Sequence, residues 1–383
     1  MIAAVLYFRH MHNVLTIVSY DFLPPKMGGQ KCSDFLFRFL SPLANVTCAT
    51  TKNNDVSVAQ GYEVRKVFSN NRLRYINPFY FFSLKKIIAE KKITHVMLVH
   101  PYYGWLGLLL KWFCKVKLVV QSQNIEALRF KSMGKWWWGI LWHYEKYVHR
   151  HASMNFFITD EDRNYAIKKF KLDNEKAMLI TYGFELTHAP SSAERVEAKN
   201  ILCKRYDIDP EENILLFNGT LDYKPNLDAL HTIIEKLSPL LSQHRDFRYK
   251  IIICGSRLPA SYDDLKQYRE QHIVYAGFVD DITICYRGTD ILINPVIDGG
   301  GIKTKVVEAL GYNASVVSTK SGAWGIPVEI TGGKMKVCED DDWDNFAAQV
   351  VTFTNEATIP AAFFDHFYWG NIAAKAATCL NEA

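Results

Sequence analysis

Short apolar runs rich in β-branched residues alternate with longer segments of helical period along most of this sequence. Strands that alternate with helices pair in parallel, and the helices cover both faces of the sheet. The first run, 14–20, is followed by a loop with prolines and glycines and by a predicted helix over 29–43. Further strands are predicted at 46–50, 62–68, 95–99, 116–121, 154–158 and 177–180. This half of the chain is therefore predicted to form a doubly wound parallel α/β sheet.

A second series of the same kind begins after Gly183. We expect two Rossmann-like domains, 1–183 and 184–360, and a C-terminal helical segment within 361–383 that returns to the first domain. Two such domains that face each other would leave a central cleft at the carboxyl ends of both sheets, where ligands bind. The strands and helices predicted in the second series are 214–218, 227–241, 250–254, 273–276, 291–294, 302–310 and 315–319.

The composition is that of a globular protein. Of the 383 residues, 49% are hydrophobic and 22% are charged, which excludes a disordered chain and a coiled-coil rod. The eight cysteines form no CxxC pair, so we expect reduced thiols in a cytoplasmic protein rather than disulfides or a zinc site. The apolar start is broken by Arg9, and the apolar stretch 105–114 is too short to span a bilayer. We therefore expect neither a signal peptide nor a transmembrane helix.

Charge is divided unevenly along the chain. Residues 1–183 hold 26 Lys and Arg against 12 Asp and Glu, a net charge of +14, whereas the remaining residues carry −9. A balance of this kind suits an anionic partner for the first domain. No nucleic-acid-binding motif is recognisable in the sequence, so we expect no nucleic-acid partner.

Aromatic and basic residues occur together in the first domain, at 105–117 and 131–142. Tryptophans beside lysines suit the interface of an anionic membrane, and Trp138 and Trp142 lie at an i, i+4 spacing on a predicted helix over 135–150. Two interpretations stay open: peripheral docking on the inner face of a membrane, or packing of these tryptophans against the other domain or a partner subunit. The residues of this helix that are expected to form its core face are Trp137, Ile140, Leu141, Tyr144, Tyr147 and Val148.

The segment 298–311 carries the strongest chemical signal. It follows a predicted strand and opens a helix, and the glycines at 299–301 allow backbone N–H groups to approach a ligand closely. The helix N-terminus adds partial positive charge, so the segment is predicted to cradle a phosphate. Lys303 and Lys305 would face a pyrophosphate, and Glu308 would accept hydrogen bonds from sugar hydroxyls.

Two further loops are candidates for contact with an anionic ligand. After the strand 214–218, Gly219 permits close approach of the backbone and Lys224 is placed to neutralise a phosphate. In the first domain, Gly28 and Gly29 open a helix after a loop that two prolines stiffen. This loop does not match GxGxxG, so a dinucleotide site is poorly supported.

Taken together, these motifs resemble the GT-B fold glycosyltransferases, in particular the retaining family-4 group (glycosyl transferases group 1). They occur in the family's order over almost the whole chain. The motifs are Pro-Pro-x-x-Gly-Gly before residue 30, Gln123-Asn124-Ile125-Glu126, Gly-Thr-Leu-Asp-Tyr-Lys-Pro-Asn from Gly219, and Gly-Gly-Gly-Ile-Lys-Thr-Lys-Val-Val-Glu-Ala up to Ala309.

The resemblance implies an enzyme of cell-surface polysaccharide synthesis. The second domain would bind a UDP- or GDP-type sugar donor, and the first would bind a glycan or a lipid-diphosphate-linked acceptor. It implies no cofactor and no metal, and a front-face displacement that retains the sugar configuration. A non-catalytic nucleotide-sugar-binding homologue that scaffolds or regulates a partner enzyme is the alternative, whereas a nucleotide-sugar epimerase would need additional carboxylates that we do not find in the expected loops.

The resemblance also implies roles for individual residues. Lys224, Lys303 and Glu308 would act in catalysis, with the lysines on the leaving phosphate and Glu308 on the nucleotide ribose. Residues that would bind the donor are Gly28, Gly29, Gly219, Gly300, Gly301, Lys305 and Thr319. Residues on the acceptor or sugar side would be His100, Asn124 and Glu126.

Two positions depart from the family's pattern. Gly300 stands where the first glutamate of the Glu-x7-Glu motif would be, and Gln123 replaces the histidine of His-Asn-x-Glu. His100 could substitute for that histidine, although a lone histidine at a strand end is more often structural. These departures are the evidence for the non-catalytic alternative.

Overall fold

The structure, a computed structural model, describes residues 12–353 and 357–383. Within that range the chain divides into two compact units. Unit 1 comprises the chain up to Gly183 together with Phe367–Ala383, and unit 2 is Phe184–His366. The final return to unit 1 begins at Phe367 rather than at residue 361, so the start of the C-terminal helical segment belongs to unit 2.

Each unit is built on one parallel sheet. Over the described residues the strands are β1 (Asn13–Val18), β2 (Asn45–Thr51), β3 (Glu63–Phe68), β4 (His95–Val99), β5 (Lys117–Ser122), β6 (Met154–Phe157), β7 (Ala177–Leu179), β8 (Asn213–Asn218), β9 (Tyr249–Cys254), β10 (Ile273–Gly277), β11 (Ile291–Asn294), β12 (Ser315–Thr319) and β13 (Met335–Cys338). The order is β3-β2-β1-β4-β5-β6-β7 in unit 1 and β10-β9-β8-β11-β12-β13 in unit 2. Both orders reverse direction beside the first strand, as in doubly wound folds.

The helices that connect these strands cover the sheets. Over the described residues they are α1 (Gly28–Leu40), α2 (Tyr80–Lys91), α3 (Gly104–Cys114), α4 (Glu126–Ser132), α5 (Trp138–His151), α6 (Asp160–Tyr165), α7 (Ser192–Tyr206), α8 (Lys224–Thr232), α9 (Ser238–Leu241), α10 (Ile282–Gly288), α11 (Thr304–Gly311), α12 (Trp343–Val351), α13 (Ala361–Phe367) and α14 (Trp369–Glu382). A π-helical turn, Ile233–Leu237, joins α8 to α9. The last helix returns to unit 1, where the Trp369 ring stacks on Phe35 of α1 at 6.3 Å.

The central strands of each sheet are apolar on both faces, because helices lie over both. In unit 1, Leu15, Val96 and Leu118 are fully buried in neighbouring strands. In unit 2, Leu215 and Ile251 are fully buried in the same way. Each unit therefore has a hydrophobic core of its own.

The parallel strands predicted in both halves are confirmed, but two elements differ from the expectation. β13 was not predicted, because this four-residue strand has exposed Lys336 and Val337 in its middle and hence no continuous apolar run. The helix predicted over the C-terminal segment is broken at Tyr368, whose φ of −68° and ψ of 124° are extended.

The core face predicted for the helix that became α5 is wrong at two positions. Ile140 and Tyr147 are 67% and 47% exposed. Val148 is buried as predicted, and the helix buries Glu145 and His149 beside it, which places Ile140 and Tyr147 on the outer face.

The two tryptophans that were candidates for a membrane interface do not form an exposed pair. Trp142 is half-buried, with its Nε1 donating to the Tyr165 hydroxyl at 2.9 Å and its ring 5.5 Å from Phe170. Trp138 is also only partly exposed, with the Lys131 Nζ 4.6 Å from its ring centroid. Among the described helices, none combines the length and the apolar character needed to cross a bilayer.

Candidate functional site

In unit 2 the loops after β8 and β11 meet where the strand order reverses, the usual ligand position in a doubly wound sheet. A Cβ placed on Gly299 would lie 3.3 Å from Pro225 Cγ, so the two loops are already in contact. A Cβ on Gly219 would lie 2.7 Å from the Asn226 side chain. The predicted loops 217–226 and 298–303 are thus brought together by the fold.

The glycine loop holds its shape through positive φ angles and one lysine. Gly299 and Gly301 have φ of 90° and 73°, which L side chains rarely adopt. The Lys303 Nζ donates to the carbonyl oxygens of Gly299 at 2.8 Å and Gly301 at 3.1 Å. Lys303 therefore closes the loop, while Gly300 at its tip is exposed.

Lys305 is the buried cation of this region. Its Nζ donates to Asn226 Oδ1 at 3.1 Å and lies 4.2 Å from the centroid of the Phe217 ring. Burial, together with the neighbouring Lys303 charge, lowers the pKa of Lys305 to about 7. A desolvated ammonium in the first turn of α11 gains most from an anion placed beside it.

Glu308 is held by a chain of polar side chains. The Tyr286 hydroxyl donates to Glu308 Oε2 at 2.9 Å, and Asn218 Nδ2 donates to that hydroxyl at 2.8 Å. Burial and the Glu308 charge raise the pKa of Tyr286 well above 10, so it stays a donor. Asn218 Oδ1 is buried and has no hydrogen-bond partner among the described residues, which leaves an acceptor at the end of β8.

Two other predicted site residues, Lys224 and Thr319, differ in their exposure to solvent. Lys224 is 78% exposed and forms an ion pair with Asp228, one turn further along α8. Thr319 is fully buried, and its hydroxyl donates to Val296 O at 2.5 Å while accepting from Gly322 N at 3.0 Å. Thr319 thus braces the loop after β11 from behind.

In unit 1 the predicted acceptor-side residues cluster around the buried Glu126. Arg129 Nη2 donates to Glu126 Oε2 at 2.6 Å, and the Tyr102 hydroxyl donates to the same carboxylate. Asn124 Nδ2 donates to Glu126 Oε1 at 3.3 Å, and His100 Nδ1 lies 3.3 Å from that oxygen. These five residues are termed the Glu126 cluster.

His100 is the strained member of the Glu126 cluster. Its φ of 63° and ψ of 159° are unusual for a side-chain-bearing residue, and such strain concentrates at functional sites. Burial lowers the pKa of His100, although Glu126 opposes this shift. Burial opposes ionisation of Glu126, but His100 and Arg129 outweigh it and lower the Glu126 pKa.

Gln123, which stands where the family has histidine, ties down the start of α1. Its Nε2 donates to Gly29 O at 3.1 Å and to Ser33 Oγ at 3.1 Å. A Cβ on Gly29 would come within 2.8 Å of Gln123 Oε1, so the glycine permits this close contact. Gly28 is the first residue of α1.

Sequence reasoning missed several residues that position these groups. Glu145 accepts from Glu126 N at 3.0 Å and from Ala127 N at 2.9 Å, and thereby caps α4. Burial raises the Glu145 pKa to about 8. Neither Glu145 nor Tyr286 belongs to a motif, whereas Asn218 directly precedes Gly219 and could have been singled out.

Both units match models of glycosyltransferase domains. Residues 41–188 match Glycosyltransferase Family 4, and residues 212–356 match Glycosyl transferases group 1. The chain belongs to the group 1 and family 4 glycosyltransferases. Its two Rossmann-like sheets confirm the fold class that the sequence predicted.

Solved GT-B structures share this fold over nearly the whole chain. A glycosyltransferase from Rickettsia africae is similar with a TM-score of 0.72 and 15% identity, covering 97% of this chain and 98% of that one. HepE from Anabaena, solved in complex with UDP, has a TM-score of 0.72 and 14% identity, covering 97% of this chain and 100% of that one. HepE has also been solved with UDP-glucose. At these identities the likeness concerns the fold.

One curated relative matches part of this glycosyltransferase. It is an uncharacterized 44.6 kDa protein in the cps region of Klebsiella pneumoniae, 27% identical over 118 residues. The match spans 29% of this chain and 30% of that protein.

Proposed function

We propose that the protein is a retaining glycosyltransferase that moves a sugar from a UDP- or GDP-type nucleotide-diphosphate sugar to a glycan or lipid-diphosphate-linked acceptor. UDP-glucose is the first donor to test, since HepE was solved with it. Cell-surface polysaccharide synthesis is the proposed process, in keeping with the cps-region relative. The proposed location is the cytoplasm, at the inner face of the membrane.

The observation that carries this proposal is the pairing of Lys305 and Glu308 in unit 2. One turn of α11 places a desolvated cation and a tyrosine-held carboxylate next to the glycine loop. A diphosphate needs the cation and free loop amides, and a ribose diol needs an acceptor of hydrogen bonds. The cation and the carboxylate lie within one turn of each other on α11.

The chemistry follows from the charge that the leaving group develops. As the bond between the sugar C1 and the phosphate oxygen breaks, negative charge builds on the diphosphate and positive charge on the sugar ring. The α11 N-terminus, Lys305 and Lys224 would stabilise the departing diphosphate. In a front-face displacement the acceptor hydroxyl bonds to C1 on the same side, and its proton passes to the departing phosphate.

The acceptor is proposed to bind unit 1, at the Glu126 cluster. Its buried carboxylate and the strained His100 lie at the carboxyl end of the sheet, where β4 and β5 end. A ring of fixed donors and acceptors suits sugar hydroxyls or a phosphate that precedes them in a lipid-linked acceptor.

The test is a donor panel with product analysis. Purified protein would be incubated with UDP- and GDP-sugars, with and without membrane lipid extracts, while nucleotide release is measured. Acceptor-dependent UDP release and an α-linked product from an α-linked donor, read by proton NMR, are expected. A β-linked product would contradict retention.

The second candidate, a non-catalytic nucleotide-sugar-binding homologue, rests on Gly300 and Gln123. Gly300 removes a carboxylate near the sugar, and Gln123 binds Gly29 and Ser33 through its amide. Calorimetric binding of UDP-glucose without turnover for any acceptor would favour this candidate. Absence of nucleotide-sugar binding would overturn both.

A further inference from the structure

The segment 72–82 of unit 1 exposes large apolar side chains at intervals of three residues. Two of them lie three apart on the 3₁₀-helix Arg72–Ile76, and two lie three apart where α2 begins, so that the members of each pair share a face, with the extended residue Asn77 between the pairs. Scattered exposed apolar residues are ordinary, but a row of them on one short segment marks an interaction surface. The four residues, termed the apolar stripe, are Leu73, Ile76, Phe79 and Phe82, and they are between 63% and 72% exposed.

The backbone under the apolar stripe is fastened to unit 1. Trp105 Nε1 donates to Tyr75 O at 2.8 Å, and Arg74 Nε donates to Ser19 O at 3.1 Å. Tyr80, between two stripe residues, is buried. The inner side of the segment is thus anchored, while its outer side presents apolar groups to solvent. Because the backbone is already fixed, holding these groups in place costs little additional backbone entropy.

Basic residues flank the apolar stripe in the sequence, and of these Arg65 is paired with Glu63 and Glu90. The sequence from 64 to 89 contains six Lys and Arg and no Asp or Glu. Arg72, Lys85 and Lys86 are exposed and form no ion pair within the part of the chain that the structure describes. Exposed apolar groups bordered by unpaired cations match the two components of an anionic bilayer surface, its acyl boundary and its headgroups.

A second aromatic element adjoins the apolar stripe. Phe113, at the end of α3, is 69% exposed, and its ring lies 5.9 Å from that of Phe81. Trp112 beside it is 54% exposed. The apolar surface therefore extends from α2 to α3.

We propose that the apolar stripe inserts into an anionic lipid bilayer and docks unit 1 on it, with Arg72, Lys85 and Lys86 at the headgroups. A protein partner or a second copy of this chain would need acidic residues opposite these cations. Trp142, one of the two tryptophans first considered for a membrane interface, packs on Phe170, so this surface takes the place of that pair. The docking surface is 72–82 and the exposed end of α3, and the proposal does not depend on which sugar is transferred.

The experiment is co-sedimentation of the full-length protein with vesicles. Vesicles of phosphatidylglycerol and phosphatidylethanolamine are compared with pure phosphatidylcholine at low and at 0.15 M salt, a condition at which surface charges are partly screened. We expect binding to the anionic vesicles, weaker at higher salt, and a loss of about tenfold or more in the Phe79→Ser/Phe82→Ser variant. Both residues are exposed, and circular dichroism verifies the fold.

Matched variants separate this surface from its alternatives. Lys85→Glu/Lys86→Glu should weaken binding, whereas Lys168→Glu/Lys169→Glu, an exposed pair on the same unit with the same change in charge, should not. Trp136→Ser/Ile140→Ser tests another exposed apolar site on unit 1 and should leave binding intact. Unchanged vesicle binding in Phe79→Ser/Phe82→Ser overturns the proposal, as does a concentration-dependent dimer that these substitutions disrupt in ultracentrifugation.

The vesicle-binding assay and the sugar-transfer assay test the two proposals independently. The assay contains no donor and no acceptor, so a protein that lacks transferase activity can still support the docking proposal. Conversely, release of UDP with a water-soluble acceptor should be unchanged in Phe79→Ser/Phe82→Ser. Loss of binding with retained soluble activity is the expected pattern.

Discussion

Lys305 is the side chain whose proton should respond most to a bound diphosphate. Because burial lowers its pKa to about 7, the free protein loses this charge as the pH rises through 7. A bound anion favours the charged form, so binding above pH 7 must take up a proton. We expect the affinity for UDP-glucose to be nearly constant below pH 6 and to fall by up to about tenfold per pH unit above pH 7. Calorimetric titrations at pH 6, 7 and 8 measure this slope.

The control for this slope is another lysine of the same unit. Lys305→Met should bind weakly and show a flat pH profile, whereas Lys320→Met should keep the slope of the parent protein. Lys320 is 67% exposed and pairs with Glu339. A slope that survives in Lys305→Met would show that a different group titrates.

Tyr286 is expected to act by positioning Glu308. Tyr286→Phe removes the hydroxyl that donates to Glu308 Oε2 and accepts from Asn218. A hydrogen bond to a charged group contributes about 1.5–3 kcal/mol, so affinity for UDP should fall by about tenfold or more. Tyr312→Phe keeps the ring that stacks on Tyr286 and should bind UDP normally. Equal Kd values for Tyr286→Phe and the parent protein, by calorimetry, would contradict this role.

At the scale of elements, the contact between the loops after β8 and β9 should be intolerant of any side chain. A Cβ on Gly255 would lie 2.0 Å from the carbonyl oxygen of Gly219, a backbone atom that cannot rotate away. Gly255→Ala should therefore cost about 2 kcal/mol or more in the free energy of unfolding and weaken nucleotide binding. Urea denaturation measures the cost. Gly139→Ala, where nothing lies within 4 Å of the added Cβ, should be neutral or slightly stabilising.

The strands were predictable because each central strand is buried on both faces and so appears as an apolar run. β13 was not, since its middle residues face solvent. In α5 the assumption that apolar residues face inward failed at Ile140, because the buried Glu145 caps α4 and fixes the rotation of the helix. A buried carboxylate that binds backbone N–H groups of another helix has no local signature in the sequence.

The same distinction applies to the candidate site. The glycine-rich and lysine-bearing segments located the loops of unit 2, because close backbone approach and anion binding require particular residue types. These segments did not predict which side chains hold Lys305 and Glu308 in position. Tyr286, which contacts Glu308, belongs to no motif. Asn226 closes the motif that starts at Gly219, but only the folded chain shows that it accepts from Lys305.

At the scale of the whole molecule, the chain's last helix belongs to the first unit, so stability of unit 1 depends on residues far away in sequence. Trp369 is 1% exposed and stacks on Phe35, and a Cβ on Gly183 would lie 2.3 Å from its ring. Replacing a buried tryptophan by alanine costs about 3–5 kcal/mol. Trp369→Ala should therefore destabilise unit 1 by that amount.

Hydrogen exchange with peptide resolution locates this effect. In Trp369→Ala we expect faster exchange in the amides of β1, β2 and β4, with little change in β8 and β11, because each unit has its own core. Trp343→Ala, on α12 against the core of unit 2, should give the reverse pattern. If exchange became faster in the strands of both units in each variant, the two units would unfold as one cooperative body. The two cores would then not be independently stable.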